Sequence, residues 1–237
     1  MKLIFFLLIV PIVGWAQNPV VPVLNQLFPD LDKNPGDAEE RFTLASHFGA
    51  EKIRDTAVRL KAEWALLDGT EESSEIDFLL FRERTPITIA NFMGYVNRGD
   101  YTNMIVHRLV SGFVIQGGGF TMSSGADGGI SGAFVATQPT IKNEFGVSNT
   151  LGTISMAKLG GDPDSATSQW FISTGANSDN LDSQNGGFTV FGVVSRDSFE
   201  AALELDRQQK FTIYDLGGVF GNSALGSTPL IRNTTNA

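Results

Sequence analysis

Between Thr56 and Trp64 apolar side chains fall on every second residue, at Val58, Leu60, Ala62 and Trp64, with Arg59, Lys61 and Glu63 between them. That period of two is the pattern of a half-buried strand. Asp68-Gly69 supplies a turn signal and Ile76 to Phe81 a second apolar run, so the two segments predict a hairpin with Glu71 and Glu72 at a solvated tip. The period then changes. Thr85 is placed to cap, and Pro86 to open, a helix whose Ile89, Phe92, Met93 and Val96 share one face and which Gly99 can end. A second helix is predicted over Asp197 to Leu205, with Asp197 and Glu200 spaced as a capping box and Phe199, Ala202 and Leu203 facing inward. Around these helices the apolar runs are short and glycine-punctuated: Ile105 to Leu109, Phe113 to Ile115, Thr153 to Met156, Trp170 to Ser173, Thr189 to Val194 and Phe211 to Tyr214. Many short strands with two helices predict a closed β-barrel.

The first residues follow another pattern: Lys2, an apolar run from Leu3 to Val13, then Gly14 and Ala16 as small residues before Gln17. This is the layout of a secretory signal peptide, and Pro11 interrupts the run short of the about 20 apolar residues that a spanning helix needs. The chain is expected to be exported, to a periplasm or to the extracellular space. Residues 17–55 hold Pro19, Pro22, Pro29, Pro35 and Gly36, which predict an irregular arm, while Phe42, Leu44, Phe48 and Ile53 are placed to pack as a short helix. The domain plan is a signal peptide over 1–16, an N-terminal extension over 17–55 and a barrel domain over 56–237.

Composition narrows the chemistry. In 237 residues, a 42% hydrophobic share with 18% charged residues supplies a core for one domain and is too apolar for general disorder. A net charge of −9, or −10 once Lys2 is removed, speaks against a basic nucleic-acid groove. With no cysteine there is no disulfide, no thiolate nucleophile and no cysteine zinc site. His47 and His107 are the only histidines, and no cluster with carboxylates has ligand spacing, so neither a metal nor another cofactor is expected. Glu71, Glu72 and Glu75 lack the spacing of a calcium loop, and Ser165, Ser168 and Ser173 have no histidine placed as a base. The Gly- and Ser-rich stretch from Gly117 to Gly132 lacks the Lys-Ser or Lys-Thr of a phosphate cradle and predicts a flexible loop.

The segment His107-Arg108-Leu109-Val110-Ser111-Gly112-Phe113-Val114-Ile115-Gln116-Gly117-Gly118-Gly119-Phe120 closely resembles the signature of the cyclophilin family of peptidyl-prolyl isomerases. The resemblance continues through Asn143-Glu144-Phe145, Gly152-Thr153-Ile154-Ser155-Met156-Ala157, Ser165-Ala166-Thr167-Ser168-Gln169-Trp170-Phe171-Ile172, Leu181-Asp182 and Phe188-Thr189-Val190-Phe191-Gly192, and spans about residues 56–215. It implies a mainly β fold, a closed eight-stranded antiparallel barrel capped by two helices. It also implies an enzyme that accelerates rotation about X-Pro bonds in unfolded or flexible polypeptides, as a monomer, with no nucleic acid, metal or cofactor.

The residue types suit that task. Rotation about an X-Pro bond crosses a barrier of roughly 20 kcal/mol set by amide resonance, and no bond has to break. A site lowers the barrier by holding the proline ring in an apolar pocket and favouring the twisted amide, whose nitrogen can accept a hydrogen bond. Arg108 stays protonated and presents a planar fork of donors; by resemblance it is the main catalytic residue. Gln116, with one acceptor and two donors, matches the family's binding glutamine and would orient the peptide backbone or Arg108. The resemblance assigns the pocket to Phe113, Val114, Phe171 and Leu181, with Phe188 at a fifth position, and places Ala157 and Gln169 beside it against the residues preceding proline. Without the motif these phenylalanines would read as ordinary core residues.

Three positions depart from the family pattern: Asn180 stands where some members carry a cyclosporin-binding tryptophan, Phe188 where many have histidine, and Val114 where methionine is common. Lys158 follows Ala157 where asparagine or arginine is often seen, and its backbone can pair with an extended substrate. His107, beside Arg108 on a strand, is expected to face the other side as a buried, hydrogen-bonded structural residue. A different class of function is a proline-peptide binding or chaperone module with little turnover; a third is a scaffold that docks a partner through residues 17–55.

Overall fold

The alternation at Val58, Leu60 and Ala62 is carried by a strand, and all three side chains are fully buried. The computed structural model describes residues 5–11, 57–65, 71–124, 130–207, 211–214 and 226–231. The arm and short helix expected over 17–55, His47 with them, and the Asp68-Gly69 turn lie outside these residues. In chain order the elements are β1 (Phe5–Pro11), β2 (Ala57–Ala65), β3 (Glu71–Leu80), α1 (Pro86–Arg98), β4 (Arg108–Val110), β5 (Val114–Gly117), β6 (Phe120–Ser124) and β7 (Ile130–Phe134). There follow β8 (Thr153–Met156), β9 (Trp170–Ser173), the one-turn α2 (Ser178–Leu181), β10 (Val190–Val194), α3 (Phe199–Asp206), β11 (Phe211–Tyr214) and β12 (Thr228–Ile231).

Eight strands form one antiparallel sheet in the order β1-β2-β3-β10-β8-β9-β5-β4, and β6 with β7 and β11 with β12 form two-stranded ribbons. Among the described residues β1 and β4 are its edges, and no pairing between them closes the sheet into the expected barrel. Ser227, just ahead of β12, bridges the outer side of β4 at Arg108.

Phe5–Pro11, within the apolar run expected to be a leader, forms β1 and pairs residue for residue with Val58–Trp64 of β2. Pairing satisfies its backbone and covers the edge that β2 would otherwise present. Glu71 and Glu72 lie inside the β3 ladder opposite Ala65 and Trp64, not at a hairpin tip, and Glu75 ion-pairs with Arg59 across the strands at 2.7 Å. The stretch from Gly117 to Gly132 is not simply a loop, since β6 pairs with β7 from Phe120 opposite Phe134 onward.

Helix α1 starts at Pro86 and stops at Gly99, whose φ of 75° is the left-handed geometry that glycine adopts without strain. Its cap is not the one expected. The Thr85 hydroxyl donates to the Phe81 carbonyl at 3.2 Å. The Glu144 carboxylate instead accepts from the Ile87 N–H at 3.1 Å and from the Thr88 N–H and hydroxyl, each at 2.8 Å. A carboxylate from a distant loop thereby satisfies the orphan donors and meets the positive end of the helix dipole. In α3 the expected capping box is absent: a 3-10 turn over Arg196–Ser198 precedes the helix, no side chain caps it, and Glu200 pairs with Arg207 at 3.2 Å.

The buried face of α1, with Ile89, Phe92, Tyr95 and Val96, packs in one core with Ile154, Ile172, Trp170 and Phe191 from β8, β9 and β10. Phe92 lies 4.9 Å from Phe191 between ring centroids. Full burial of each such large apolar side chain stabilises the fold by about 2 kcal/mol. The helix thus covers one face of the central strands and leaves their other face to the site. Among the described residues no helix is long and apolar enough to cross a membrane.

Candidate active site

Antiparallel pairing fixes which side chains meet. In the β4–β5 hairpin Arg108 is opposite Gln116 and Leu109 opposite Ile115. Directly opposed residues share a face and neighbours alternate. Leu109 and Ile115 therefore go to the core, where each is at most 2% exposed, while Arg108 and Gln116 stand together on the opposite face. The next strand carries the pattern on: Phe171 of β9 is opposite Gln116, and Ile172 is opposite Ile115.

On that face Arg108 Nη1 donates to Gln116 Oε1 at 3.5 Å, and Gln116 Nε2 donates to Gln169 Oε1 at 2.9 Å. The first contact is at the outer limit of a hydrogen bond, so exchanging it for a ligand carbonyl costs little. The second is of ordinary length and orients the Gln116 amide. The Arg108 guanidinium carbon lies 5.6 Å from the centre of the Phe113 ring, within cation–π range. Burial pulls the Arg108 pKa below its ordinary value, yet the side chain remains a cation at neutral pH.

Beside this polar pair lies a separate apolar cluster of Val114, Phe171 and Leu181, with Phe113, Ala157 and Phe188 packed against it. The Phe171 and Phe188 rings meet edge to face, 5.8 Å apart. The Ala157 N–H donates to the Gln169 carbonyl at 2.9 Å, which joins the end of β8 to the start of β9. An apolar recess with a guanidinium and two amides at its edge can hold a small nonpolar ring and donate to a carbonyl or amide nitrogen next to it. Among the described residues no group of three or more His, Asp or Glu is placed to hold a metal ion.

His107 lies fully buried immediately ahead of β4, edge-on to Phe120 at 4.9 Å. Its burial is as expected, but neither ring nitrogen has a hydrogen-bond partner within normal geometry, which corrects the expected bonded role. Burial, helped by the charge on Arg108 and opposed by the Gln169 amide, lowers its pKa from 6.5 to about 4. The ring is neutral at physiological pH.

Residues 67–212 match the family model described as cyclophilin type peptidyl-prolyl cis-trans isomerase/CLD, well over half of the chain. The chain belongs to this family. Among similar curated proteins, peptidyl-prolyl cis-trans isomerase A of Dickeya dadantii is 39% identical over 146 residues, covering 59% of this chain and 70% of that protein. Peptidyl-prolyl cis-trans isomerase B of Escherichia coli is 43% identical over 94 residues, covering 39% of this chain and 52% of that one. A crystal structure of a Cryptosporidium parvum cyclophilin in the presence of the dipeptide Ala-Pro is 21% identical, covers 68% of this chain and 94% of its own, and has a TM-score of 0.45. By family this cyclophilin is an isomerase, with a mainly β architecture.

The sheet of this cyclophilin brings together all nine residues singled out from its sequence. Phe113, Val114, Ala157, Phe171, Leu181 and Phe188 share one apolar cluster, and Arg108, Gln116 and Gln169 form a hydrogen-bonded row along it. Asn180, one residue before Leu181, is exposed and its side-chain carbonyl accepts from Gln184. Two supports were not visible in the sequence. Asp206 at the end of α3 accepts from Ser111 Oγ at 3.2 Å, the Gly112 N–H at 3.0 Å and Thr174 Oγ1 at 3.0 Å, which holds the turn bearing Phe113. The Lys158 ammonium lies 5.1 Å from the centre of the Phe188 ring. Neither contact leaves a spacing signal, because each joins segments far apart in the chain.

Proposed function

We propose that this cyclophilin accelerates cis/trans rotation of X-Pro bonds in unfolded or flexible exported polypeptides, without a covalent intermediate. The observation that carries the reading is the Arg108–Gln116 pair standing at the edge of the apolar cluster of Val114, Phe171 and Leu181. The proline ring enters that cluster, and Ala157 and Gln169 flank the residues ahead of it. Arg108 donates to the prolyl carbonyl and, as the amide twists and resonance is lost, to its pyramidal nitrogen. Gln116, held by Gln169, fixes the direction of the guanidinium. Stabilisation is greatest for the twisted amide, so the barrier falls while neither planar form is trapped.

The test is NMR exchange spectroscopy on an Ala-Pro peptide with the wild type and Arg108→Ala. The wild type accelerates exchange, and the variant loses about 100-fold or more of that acceleration while still binding peptide. If neither protein accelerates exchange but both shift the peptide resonances, the site is a proline-peptide binding or chaperone module instead.

Export is supported by Lys2, the apolar run Leu3 to Val13 and the small residues Gly14 and Ala16. It places the enzyme in a periplasm or outside the cell, where proline isomerisation slows the folding of newly translocated chains. Cleavage before Gln17 would remove β1 and leave β2 as the sheet edge. Mass spectrometry of the protein recovered from the exported fraction checks this, and an intact Met1 refutes it. The site is assembled within one chain, which supports action as a monomer, and the bridge from Ser227 to the β4 edge supports the family's closed barrel.

A further inference from the structure

Phe188 closes one side of the apolar cluster but is delivered by an unusual turn. Gln184–Gly186 form a 3-10 turn in which Asn185 has φ 49°, followed by Gly186 at 72° and Gly187 at 74°. Three successive residues thus have positive φ, uncommon for Asn185. Such a turn holds its shape only when the surroundings determine it, and here the Lys158 ammonium does much of that. Its Nζ donates to the Gly187 carbonyl at 2.6 Å, the Asn185 carbonyl at 2.8 Å and the Pro163 carbonyl at 3.4 Å, which accounts for all three of its protons. The tie is reciprocal, since Asn185 Nδ2 donates to the Leu159 carbonyl at 2.7 Å. The same ammonium faces the Phe188 ring.

We propose that Lys158 is a positioning residue for the proline pocket: its ammonium pins the Asn185–Gly187 backbone, and through it the Phe188 wall, to the segment that follows Ala157. The inference rests on the isomerase reading and adds a determinant of substrate affinity to it. Burial lowers the pKa of Lys158, with Asp162 and Asp164 opposing, so the ammonium is partly removed from water and its bonds to carbonyls are strong ones. A wall that only holds the proline ring touches the planar and the twisted amide alike. Loosening it raises KM and leaves kcat nearly unchanged, the opposite of removing Arg108.

The experiment compares the full chain with Lys158→Met, which keeps the length of the side chain without its donors, and with Lys158→Arg, which keeps charge and donors. The clamp is read without turnover, from hydrogen exchange of the Gly187 and Phe188 amides, which bond to the Gln184 and Leu181 carbonyls at 2.8 and 3.0 Å. In Lys158→Met their exchange rises roughly tenfold, as expected for loss of charge-assisted bonds, while the β8–β9 ladder amides are unchanged. KM for an Ala-Pro peptide rises about fivefold to tenfold with kcat within about twofold, and Lys158→Arg recovers most of both changes. Unchanged amide exchange, a fall in kcat in place of a rise in KM, or equal loss in both variants overturns the proposal. If the wild type itself shows no acceleration, the isomerase reading fails, and the clamp is judged on the amide exchange and the Kd for the same peptide, whose invariance in Lys158→Met overturns it.

Discussion

Acidification tests the environment of His107. Its ring is fully buried, has no hydrogen-bond partner within normal geometry and adjoins a permanent cation, which together outweigh the Gln169 amide, so its pKa falls from 6.5 to about 4 in the fold. Because the folded pKa lies below the unfolded one, the unfolded chain binds a proton between pH 6.5 and 4 that the folded chain refuses. Stability is therefore complete above pH 6.5, falls as pH drops towards 4, and gains no further slope from this group below that. At 1.36 kcal/mol for each pKa step, the loss across the window is about 3 kcal/mol, a large part of the stability of a domain this size.

The assay is urea denaturation of the wild type and His107→Gln at half-unit pH steps from 7.5 to 4, taking the difference at each pH so that His47, present in both, cancels. The variant is less stable than the wild type near pH 7, since the Phe120 contact and core packing are altered, and the gap closes by about 3 kcal/mol on approaching pH 4. Asp182 does not confuse the result. Burial acts to raise its pKa, but bonds from Ser148 and Asn149 outweigh it and hold the carboxyl below 3.8, so its contribution is lost only as pH falls below that value. Parallel wild-type and variant curves from pH 7 to 4 would falsify the claim that His107 is held neutral by burial.

Glu144→Ala strips α1 of its only side-chain N-terminal acceptor among the described residues and leaves the fully buried Thr88 unpaired; unfolding free energy falls by about 2 kcal/mol, and a loss under 0.5 kcal/mol in a urea titration refutes the capping role. Gly187→Ala puts a methyl where the Phe145 ring stands, at a φ of 74°, so thermal denaturation shows a loss of about 2 kcal/mol, against no change if that turn can relax. Exchanging the opposed pair as Arg108→Gln with Gln116→Arg preserves composition and face but moves the guanidinium by one strand. Isomerisation falls about 100-fold while stability stays within about 1 kcal/mol, and retained turnover would show that presence of an arginine suffices, whatever its place.

How much of this was legible follows from the range of each interaction. Strand alternation at Val58, Leu60 and Ala62 and the helix face at Ile89, Phe92 and Val96 are local patterns, and the structure buries them as expected. The nine proposed site residues come from one long motif resemblance, and the ladder puts Arg108, Val114, Gln116 and Phe171 on one face. What the sequence hid is nonlocal. Glu144 caps the helix at Ile87, 57 residues earlier, whereas Thr85 stands next to the first turn and looked like the cap. The pairing of β6 with β7 was masked by glycine and serine, which weaken the alternation that signals a strand. Lys158 invited a reading of its backbone alone, since nothing in its neighbours announces three carbonyls arriving from two other segments.

The proposed chemistry would explain why so little titratable apparatus is needed. On that reading no proton or covalent bond is exchanged with the substrate, so the site calls for placement and not for a tuned acid, base or nucleophile. Adjacent antiparallel strands are well suited to placement, because a one-residue slip of β5 against β4 would send Gln116 into the core and Ile115 to the site. The buried alternates Leu109, Ile115 and Ile172 exact that penalty, since their exposure would forfeit about 2 kcal/mol each. The core of the sheet thereby fixes the register, the register fixes the Arg108–Gln116–Gln169 row, and the row needs only a wall for the proline ring. Much of that wall is not built on a strand: Leu181 and Phe188 come from α2 and the segment after it. It follows that variation in substrate affinity without loss of turnover should concentrate there, where side-chain clamps such as Lys158 do the work that the ladder does elsewhere.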